Sequence, residues 1–377
     1  MRVCFLTPYF DAFKGGNHLP LLAALPEVEF TILTNDTKPA LPDLPGNVRC
    51  ETLRARVSSY YYGCADLLFA RAVLKHYPAS DPFWKQFDVI HINQTMGPAL
   101  LQLKKAGVPI VFFIHHPVSA DRAVALEESS FIGRIFWRLK YWLLVLWQKR
   151  FCTLLPTIAT VSQTSAKRIA QDYGCPESKI TVIPNGIDTT VFTPDDPAFC
   201  EFDAIAVGSF VHPRKGFRYL VEVYRELSIK SIRIADVGRR SPEQQAIIRS
   251  IKNVRSLGTV PQEKLLSLLR RSSVLLSTSL YEGFGLSLIE ALACGRPAFA
   301  FDAGAVREVL APVDPDLVVA LRDTDELTRR VQKFLALSPA ERAEKGRRYR
   351  EGVSRLYPLK KSAAALHDLY KKLSGKR

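Results

Sequence analysis

Short apolar runs alternate with segments of helical length along most of the chain. Six such runs occupy the first half, at Val3–Pro8, Phe30–Thr34, Val89–Asn93, Pro109–His115, Thr157–Ser162 and Ile180–Pro184. The second half repeats the rhythm at Asp203–Ser209, Ile232–Gly238, Ser273–Thr278 and Pro297–Asp302. Strands that are apolar on both faces and alternate with helices are typical of parallel sheets that helices cover on both sides. The pattern therefore predicts an α/β protein with two doubly wound domains.

The segment that separates the two series, residues 184–199, reads PNGIDTTVFTPDDPAF and is rich in turn-forming residues. We interpret it as an inter-domain linker, because 377 residues are too many for one ordinary core. The alternative is a long surface loop within one domain. A further pattern of helical spacing closes the chain, carried by Leu359, Ala363, Leu366, Tyr370 and Leu373. Open α/β sheets bind ligands at the carboxyl ends of their strands, so a crevice between two such domains is the expected site.

The stretch SLYEGFGLSLIEALACG, residues 279–295, holds two carboxylates in an unusual setting. Glu290 falls within an apolar predicted helix, and Glu282 precedes a Gly-Phe-Gly turn. The turn and the start of the helix expose backbone N–H groups at the positive end of the helix dipole, which together favour a phosphate site. Ser287 and Glu290 share one helical face, and a carboxylate one turn beyond a phosphate can accept two hydrogen bonds from a ribose diol. The alternative is that Glu290 pairs with a structural arginine and Glu282 is a solvated loop acid.

The stretch EGFGLSLIEALACG resembles the Glu-(seven residues)-Glu signature of the retaining glycosyltransferases of family 4. Other segments are similar to that family in the same order along the chain: VSQTSAKRI, ITVIPNGIDTTVFTP, AVGSFVHPRKGFRYLVEV and NVRSLGTVPQEKLLSLLRRSSVLLSTSLYEGFGL. The resemblance covers nearly the whole chain. It implies the GT-B fold, in which two Rossmann-like domains face a central cleft. The implied domains are residues 1–186, completed by a last helix over 358–377 that crosses back, and residues 187–357, which bind the nucleotide sugar.

The resemblance also implies roles for the residues that match the family's motifs. Glu290 would bind the ribose, and Glu282 would contact the donor sugar. Lys215 would neutralise charge on the leaving diphosphate, a task that suits a point cation. Family members often have Gly-Arg where this chain has Gly208-Ser209, and Arg214 is the candidate replacement for that arginine. The backbone amides expected to cover the diphosphate are those of Phe284, Gly285, Leu286 and Ser287.

Two further positions in the first half resemble family features. A histidine at the end of the strand Pro109–His115 contacts the donor sugar in that family, which predicts a catalytic role for His115. His116 is its rival, because adjacent strand residues point to opposite faces. The alternative is that the two form a hydrogen-bonded polar pair at a strand end. Gly16, in the pair Gly15-Gly16 after the first strand, resembles the family's glycine loop near the sugar and the acceptor.

Composition limits the binding partners and the cellular compartment that we expect for this protein. A net charge of +15 suits nucleic acid, an anionic membrane face or anionic small substrates. We find no nucleic-acid reading motif, so we expect no nucleic-acid partner. Seven cysteines without a Cys-x-x-Cys pair favour reduced thiols in a cytosolic protein. The first residues form too short an apolar run for a signal peptide, and no stretch of about 18 apolar residues would span a bilayer.

The segment Phe131–Phe151 combines Trp137, Trp142 and Trp147 with a basic rim. Tryptophans and cations together suit a membrane surface, and many members of the resembled family act on lipid-linked acceptors. We therefore expect a cytoplasmic protein that can bind peripherally to the inner face of the membrane. The alternative is a buried core helix with solvated basic ends.

The sequence thus predicts a retaining, metal-independent glycosyltransferase. It would move a sugar from a nucleotide-diphosphate sugar to the hydroxyl of a glycan or lipid-linked acceptor, in cell-envelope glycan or glycolipid synthesis. No cofactor and no metal are expected: Asp323 and Asp325 mimic a metal-binding Asp-x-Asp, but they precede a helix that they can cap. The alternatives are a non-catalytic nucleotide-sugar-binding subunit and a nucleotide-sugar epimerase of GT-B fold.

Overall fold

The computed structural model describes residues 1–10, 18–37, 44–53, 64–194 and 200–375. The chain forms two compact units. Unit 1 comprises Met1–Arg122, Ile132–Gly186 and Leu359–Arg377, and unit 2 comprises Ala123–Phe131 and Ile187–Pro358. The short segment 123–131, which the sequence pattern did not separate from its neighbours, thus clusters with unit 2.

Unit 1 is built on a parallel sheet. Its described strands run in the order β5-β3-β1-β6-β7-β8-β9. Their bounds are β1 Arg2–Leu6, β3 Glu29–Thr34, β5 Val48–Thr52, β6 Val89–Asn93, β7 Ile110–Ile114, β8 Thr157–Thr160 and β9 Ile180–Val182, and a separate short pair consists of β2 Tyr9–Phe10 and β4 Asp36–Thr37. The strand order reverses direction between β1 and β6, which gives the doubly wound arrangement.

The first five helices belong to the N-terminal part of the chain: α1 His18–Ala23, α2 Cys64–His76, α3 Val118–Glu127, α4 Phe131–Leu154 and α5 Gln163–Tyr173. Short 3₁₀ helices run over Pro82–Gln86, Pro98–Ala106 and Glu177–Lys179. The last helix, α13 Leu359–Ser374, also packs in unit 1. Its Tyr370 hydroxyl lies 2.7 Å from Nδ1 of His91, a buried contact that fixes the helix on the sheet.

Unit 2 repeats the architecture with the strand order β12-β11-β10-β13-β14-β15. The strands are β10 Phe202–Val207, β11 Ile234–Val237, β12 Val254–Gly258, β13 Ser272–Ser277, β14 Ala298–Phe301 and β15 Val318–Val319. The helices are α6 Phe217–Ile229, α7 Pro242–Arg249, α8 Gln262–Arg270, α9 Leu286–Ala293, α10 Val306–Leu310, α11 Thr324–Leu335 and α12 Pro339–Leu356, with 3₁₀ turns at Pro213–Lys215 and Pro315–Leu317. When these six strands are numbered in chain order, they lie across the sheet as 3-2-1-4-5-6, which is the order of a Rossmann fold. The switch point of the sheet lies between β10 and β13.

All ten predicted strands exist, and the prediction of two Rossmann-like α/β domains is confirmed. The pattern missed the edge strands β5 and β12, because strands at a sheet edge are half solvated and need fewer apolar residues. It also missed β2, β4 and β15, whose two residues each are too few to show a period. The bounds also differ: β7 ends at Ile114, so His115 lies just after the strand rather than at its last position.

The predicted linker, residues 184–199, divides between the units. Pro184 stays in unit 1, where its carbonyl accepts a hydrogen bond of 2.6 Å from the Ser362 hydroxyl. Ile187 begins the main part of unit 2, and its N–H donates to the carbonyl of Tyr357 over 2.8 Å. Residues 195–199 lie outside the described residues.

Candidate functional site

Two loops of unit 2 meet at the switch point of its sheet. One follows β10 and carries Arg214 and Lys215, and the other follows β13 and leads into α9. The N–H of Leu280 donates to the carbonyl of Arg214 over 2.7 Å. The hydroxyl of Thr278 donates to the carbonyls of Lys215 and Gly216, each over 3.2 Å. These bonds join the backbone of the first loop to the backbone of Leu280 and to the side chain of Thr278, so each loop fixes the position of the other.

Glycines make this close approach possible. Gly216 has φ +65°, and a Cβ atom there would lie 2.1 Å from the carbonyl oxygen of Thr278. Gly304 has φ +61°, and its Cβ would lie 2.3 Å from the carbonyl oxygen of Glu282. That same carbonyl accepts a hydrogen bond of 2.9 Å from the N–H of Ala305. Only glycine satisfies both the left-handed backbone and the short distances, so the Gly304–Ala305 segment lies directly against the backbone of Glu282.

The side chain of Glu282 lies between two cations. The Lys215 ammonium is 2.5 Å from Oε1, and the Arg214 guanidinium is 3.7 Å from Oε2. Burial by itself would raise the pKa of Glu282, but the charges of Lys215 and Arg214, with hydrogen bonds from Lys215 and Ser279, lower it to about 2. The carboxylate is therefore ionised at neutral pH, and the two cations are held in place by it.

Glu290 has a different environment. It lies one turn into α9 (Leu286–Ala293), and burial raises its pKa to about 7. No charge and no hydrogen bond from another described residue contributes to that shift. In the part of the chain that the structure describes, no arginine pairs with Glu290. A carboxylate without compensation in such a place is costly unless a ligand completes it.

The start of α9 offers backbone donors. Gly285 has φ +89° and caps the helix without a side-chain hydrogen bond. The N–H groups of Phe284, Gly285, Leu286 and Ser287 have no acceptor among the described residues. Leu288 is the first whose N–H is used, donating to Gly285 over 3.0 Å. Four consecutive donors at the positive end of a helix form an arrangement suited to an anion.

Unit 1 carries a separate polar cluster after β6 and β7. The Nε2 atom of His115 lies 3.0 Å from Oδ1 of Asn93, and its backbone N–H donates to Oε1 of Gln94 over 2.6 Å. Gln94 also donates to the carbonyl of His116 over 3.2 Å and has φ +51°, a strained conformation for glutamine. The ring of His116 instead lies 3.0 Å from Oδ2 of Asp121. The two histidines therefore have different partners.

The predicted site residues thus fall into two groups. In unit 2 the structure brings Arg214, Lys215 and Glu282 into one ion cluster, and the next element of the same unit carries the predicted amides and Glu290. His115 lies in unit 1 with its own partners. Gly16 lies outside the described residues.

Sequence reasoning missed the residues that support these groups. The guanidinium of Arg240 pairs with Asp236 and donates to the carbonyl of Gly208 over 2.7 Å, which fixes the end of β10. A Cβ on Gly238 would lie 2.1 Å from that same carbonyl oxygen. Gln94, which orients the backbone of His115, was also missed. The sequence could have indicated Gln94, because it is a polar residue directly after a predicted strand, at the carboxyl end where parallel sheets bind ligands.

Four further observations relate to other parts of the sequence analysis. Asp323 is the N-cap of α11 and accepts a hydrogen bond of 2.9 Å from the N–H of Glu326, as predicted for a capping residue. Within the described residues, no group of three or more His, Cys, Asp or Glu side chains is arranged to hold a metal ion. The described helices include none that is both long enough and apolar enough to cross a membrane. All seven cysteines are free thiols.

Comparison with known proteins identifies the family. The family description "Glycosyltransferase Family 4" matches residues 21–227, and "Glycosyl transferases group 1" matches residues 201–336. The MMP alpha-(1->4)-mannosyltransferase of Mycolicibacterium hassiacum is 32% identical over 294 residues, which cover 76% of this chain and 71% of that protein. The phosphatidyl-myo-inositol mannosyltransferase of Mycolicibacterium smegmatis is 28% identical, over 63% of this chain and 60% of its own.

Solved structures agree in fold. Sucrose-phosphate synthase from Thermosynechococcus elongatus matches with a TM-score of 0.78 at 20% identity, over 100% of both chains. WaaG, a glycosyltransferase involved in lipopolysaccharide biosynthesis, matches with a TM-score of 0.73 at 16% identity, over 99% of this chain and 100% of its own. At these identities the likeness concerns the fold alone. Together with the family matches and the doubly wound units, it establishes that the chain belongs to glycosyltransferase family 4 and is a glycosyltransferase of GT-B fold.

Proposed function

We propose that this glycosyltransferase moves a sugar from a nucleoside-diphosphate sugar to an acceptor hydroxyl, with retention of the anomeric configuration. One observation carries the proposal. Four consecutive backbone N–H groups, those of Phe284–Ser287, lack an acceptor among the described residues and precede the uncompensated carboxylate of Glu290 by one turn. Donors for a diphosphate and an acceptor for a ribose diol at this spacing fit a nucleotide.

Different groups of unit 2 would bind the diphosphate and the ribose of the donor. The N–H groups and the dipole of α9 would neutralise one side of the diphosphate, and Lys215 and Arg214 would add full charges. Since Glu282 already orients both cations, they need little reorganisation when the donor arrives. The ribose hydroxyls would donate two hydrogen bonds to Glu290, which favours its ionised form and lowers its pKa from about 7.

In the proposed reaction, the nucleoside diphosphate leaves the sugar as the acceptor binds to it. The bond between the anomeric carbon and the diphosphate oxygen breaks, and the acceptor oxygen bonds to the same face of that carbon. The departing phosphate takes the acceptor's proton, so no protein nucleophile and no metal are required. His115 and Glu282 would contact the donor sugar. An Anabaena protein of the same fold has been crystallised with UDP-glucose, which supports this donor class.

For the sugar we propose mannose. Relatives named as mannosyltransferases act, by their names, on MMP and on phosphatidyl-myo-inositol, and another serves lipopolysaccharide core biosynthesis in Rhizobium leguminosarum. These names favour an acceptor in cell-envelope glycan or glycolipid synthesis.

Calorimetric titration with GDP-mannose, UDP-glucose and ADP-glucose tests the donor site. We expect the wild type to bind GDP-mannose, and Glu290→Ala to weaken that binding by about 100-fold, because two hydrogen bonds to a charged group are lost. Glu263→Ala, an exposed acid on α8 of the same unit, is the matched control and should bind like the wild type. Equal affinity in Glu290→Ala and the wild type would remove Glu290 from the site.

Product analysis separates the remaining candidates. Transfer of the sugar to a glycan or lipid acceptor, with the anomeric configuration read by NMR, is the expected result. Conversion of the nucleotide sugar without any acceptor would indicate an epimerase. Donor binding without turnover on any acceptor would indicate a non-catalytic subunit.

We further propose that α4 (Phe131–Leu154) binds an anionic membrane surface. The helix is not a buried core helix: Phe131, Ile132, Leu139 and Trp142 are 77%, 79%, 70% and 61% exposed. These and other exposed apolar residues lie on one face. The opposite face packs on unit 1 through Tyr141, Leu144, Gln148, Phe151 and Cys152. An apolar stripe of this size is unusual on a protein surface that has no partner.

Charge favours a membrane as that partner. Arg138 and Lys140 flank the apolar stripe on its two sides, and Lys149 and Arg150 lie near its end. Lys140 also lies over the Trp137 ring, 4.4 Å from the centroid. Cations beside exposed aromatic residues are typical of interfacial helices, and each cation near anionic lipid adds about 1 kcal/mol.

Co-sedimentation with phosphatidylglycerol vesicles tests this surface. The wild type should pellet at low salt, and the double variant Leu139→Glu with Trp142→Glu should stay in the supernatant. Ile229→Glu, which adds charge at an exposed apolar site of unit 2, should pellet like the wild type. A wild type that remains in the supernatant would contradict the proposal.

A further inference from the structure

A cavity of unit 2 lies at the amino-terminal ends of its strands, opposite to the candidate donor site. Its lining includes Asp203 and Ser273, near the starts of β10 and β13, whereas Glu282 and Lys215 follow the ends of those strands. Its volume is about 600 Å³, within the range of small-molecule sites. Five arginines and one aspartate line it: Arg233, Arg296, Arg342, Arg347, Arg350 and Asp203. We call it the arginine pocket.

The spacing along α12 (Pro339–Leu356) builds one wall of the arginine pocket. Arg342, Gly346 and Arg350 follow one another at intervals of four, so they share a face of the helix. Gly346 touches the turn after α9, where its Cβ would lie 2.5 Å from the carbonyl oxygen of Gly295. The backbones of α12 and of the turn therefore meet at the glycines, and the two arginines lie one turn to either side of that contact.

Two of the lining arginines have carboxylate partners. Arg233 lies 2.9 Å from Asp203, the acid of the cavity. Arg347 pairs with Glu344 on the exposed surface of α12. The charges of these two arginines are therefore neutralised by protein acids.

The other three form no ion pair with a described acid. Burial raises the pKa of Asp203, but the hydrogen bonds and charge of Arg233 and the charge of Arg342 lower it, so Arg342 is partly compensated at a distance. Arg350 donates to the carbonyls of Phe192, Ala293 and Thr189 over 2.7, 2.6 and 2.8 Å, and Arg296 donates to the carbonyl of Arg270 over 2.5 Å. Carbonyl oxygens satisfy hydrogen-bond donors but leave the positive charge in place. Within the described chain, the side chain of Arg342 has neither a hydrogen bond nor an ion pair.

We propose that the arginine pocket binds a phosphorylated small molecule about the size of a sugar phosphate. Three guanidinium groups without an ion pair to a described acid line one cavity, in which Asp203 is the one described acid, and this excess of positive charge favours a multivalent anion. The planar donor fork of Arg342 matches a phosphate oxygen pair. Phe334 and Cys294 supply an apolar side for the rest of the ligand. This site is separate from the donor site and does not depend on the proposed function.

Titration calorimetry of the full chain at low ionic strength, with glucose 6-phosphate and with inorganic phosphate, tests the inference. One equivalent of glucose 6-phosphate should bind, more tightly than inorganic phosphate. Arg342→Gln should weaken the binding by at least about tenfold, the loss of one charged contact. Because the Arg342 side chain forms no hydrogen bond and no ion pair with a described residue, this variant should fold. Arg348→Gln, on the exposed face of the same helix, is the matched control and should bind like the wild type.

Several results would overturn the proposal. Absence of binding to the wild type would do so. Equal binding by Arg342→Gln and the wild type would also overturn it. Loss of binding in Lys215→Gln would place the anion at the donor site instead. Equal affinity for inorganic phosphate would refute the sugar-sized ligand.

Discussion

Glu282 and Glu290 are eight positions apart in one unit, yet their surroundings are opposite. Glu282 lies between Lys215 and Arg214, and its pKa falls to about 2. Glu290 has no charged or hydrogen-bonding partner among the described residues, and its pKa rises to about 7. The same side chain is thus stabilised as an anion in one place and destabilised in the other.

The difference shows which acid the folded chain compensates and which one it leaves without compensation among the described residues. Glu282 links two loops at the switch point, and its negative charge is neutralised within the protein by Lys215 and Arg214. No described residue compensates the charge of Glu290, so its ionised form raises the free energy of the folded chain. Uncompensated acids of this kind are typical of functional sites, which favours the proposed role of Glu290. Three predictions test this contrast, from the largest expected effect to the smallest.

Gly216→Ala should separate the loops that hold Glu282. The methyl group would lie 2.1 Å from the Thr278 carbonyl oxygen at φ +65°, and we expect unfolding to become easier by about 4 kcal/mol from strain and overlap together. Urea denaturation measures this. Gly174→Ala is the matched control, because φ is +66° there but no atom lies within 4 Å of the added Cβ. It should cost only about 1–2 kcal/mol, and an equal loss at both sites would show that loop contact is unimportant.

Glu282→Gln should destabilise the protein by about 3 kcal/mol at pH 7, because two cations lose their carboxylate. The folded pKa of about 2 is below the usual 4.5, so the stabilisation is present above pH 4.5 and is lost as the pH falls towards 2. Denaturation curves at several pH values should therefore converge for variant and wild type in acid. Glu344→Gln, which removes an exposed pair with Arg347, should change stability by less than about 1 kcal/mol.

Glu290→Gln should change the free energy of unfolding in the opposite direction, by making the protein more stable. The folded pKa of about 7 is above the usual 4.5, so the native state keeps a proton that the unfolded state loses, and stability falls as the pH rises from 4.5 to 7. The variant should lack this fall and be more stable than the wild type by about 2 kcal/mol at pH 8, allowing for partial exposure. Thermal unfolding between pH 5 and pH 8 measures it, with Glu263→Gln as the control. A variant with the wild-type pH dependence would mean that Glu290 is compensated.

The strands of the two sheets could be predicted because their evidence is local. Runs such as Phe202–Val207 and Ser272–Ser277 are apolar on both faces and need no partner to be recognised. The edge strand Val254–Gly258 has little of that signal, since one side of it meets no other strand. The position of His115 was predicted to within one residue, but its partners Asn93 and Gln94 come from the neighbouring strand, which no local pattern pairs with it.

The sequence by itself determined the two α/β domains, the glycine turn before α9 and the presence of two acids around it, because hydrophobic period and glycine spacing act over a few residues. Only the tertiary structure decided which acid is neutralised. The cation that does so lies 67 positions away from Glu282 and reaches it because parallel strands β10 and β13 are neighbours in the sheet. The arginine pocket has the same origin, since α12 and the end of α9 meet only when the chain has folded. Electrostatic compensation is a matter of distance in space, and that distance exists only in the packed unit.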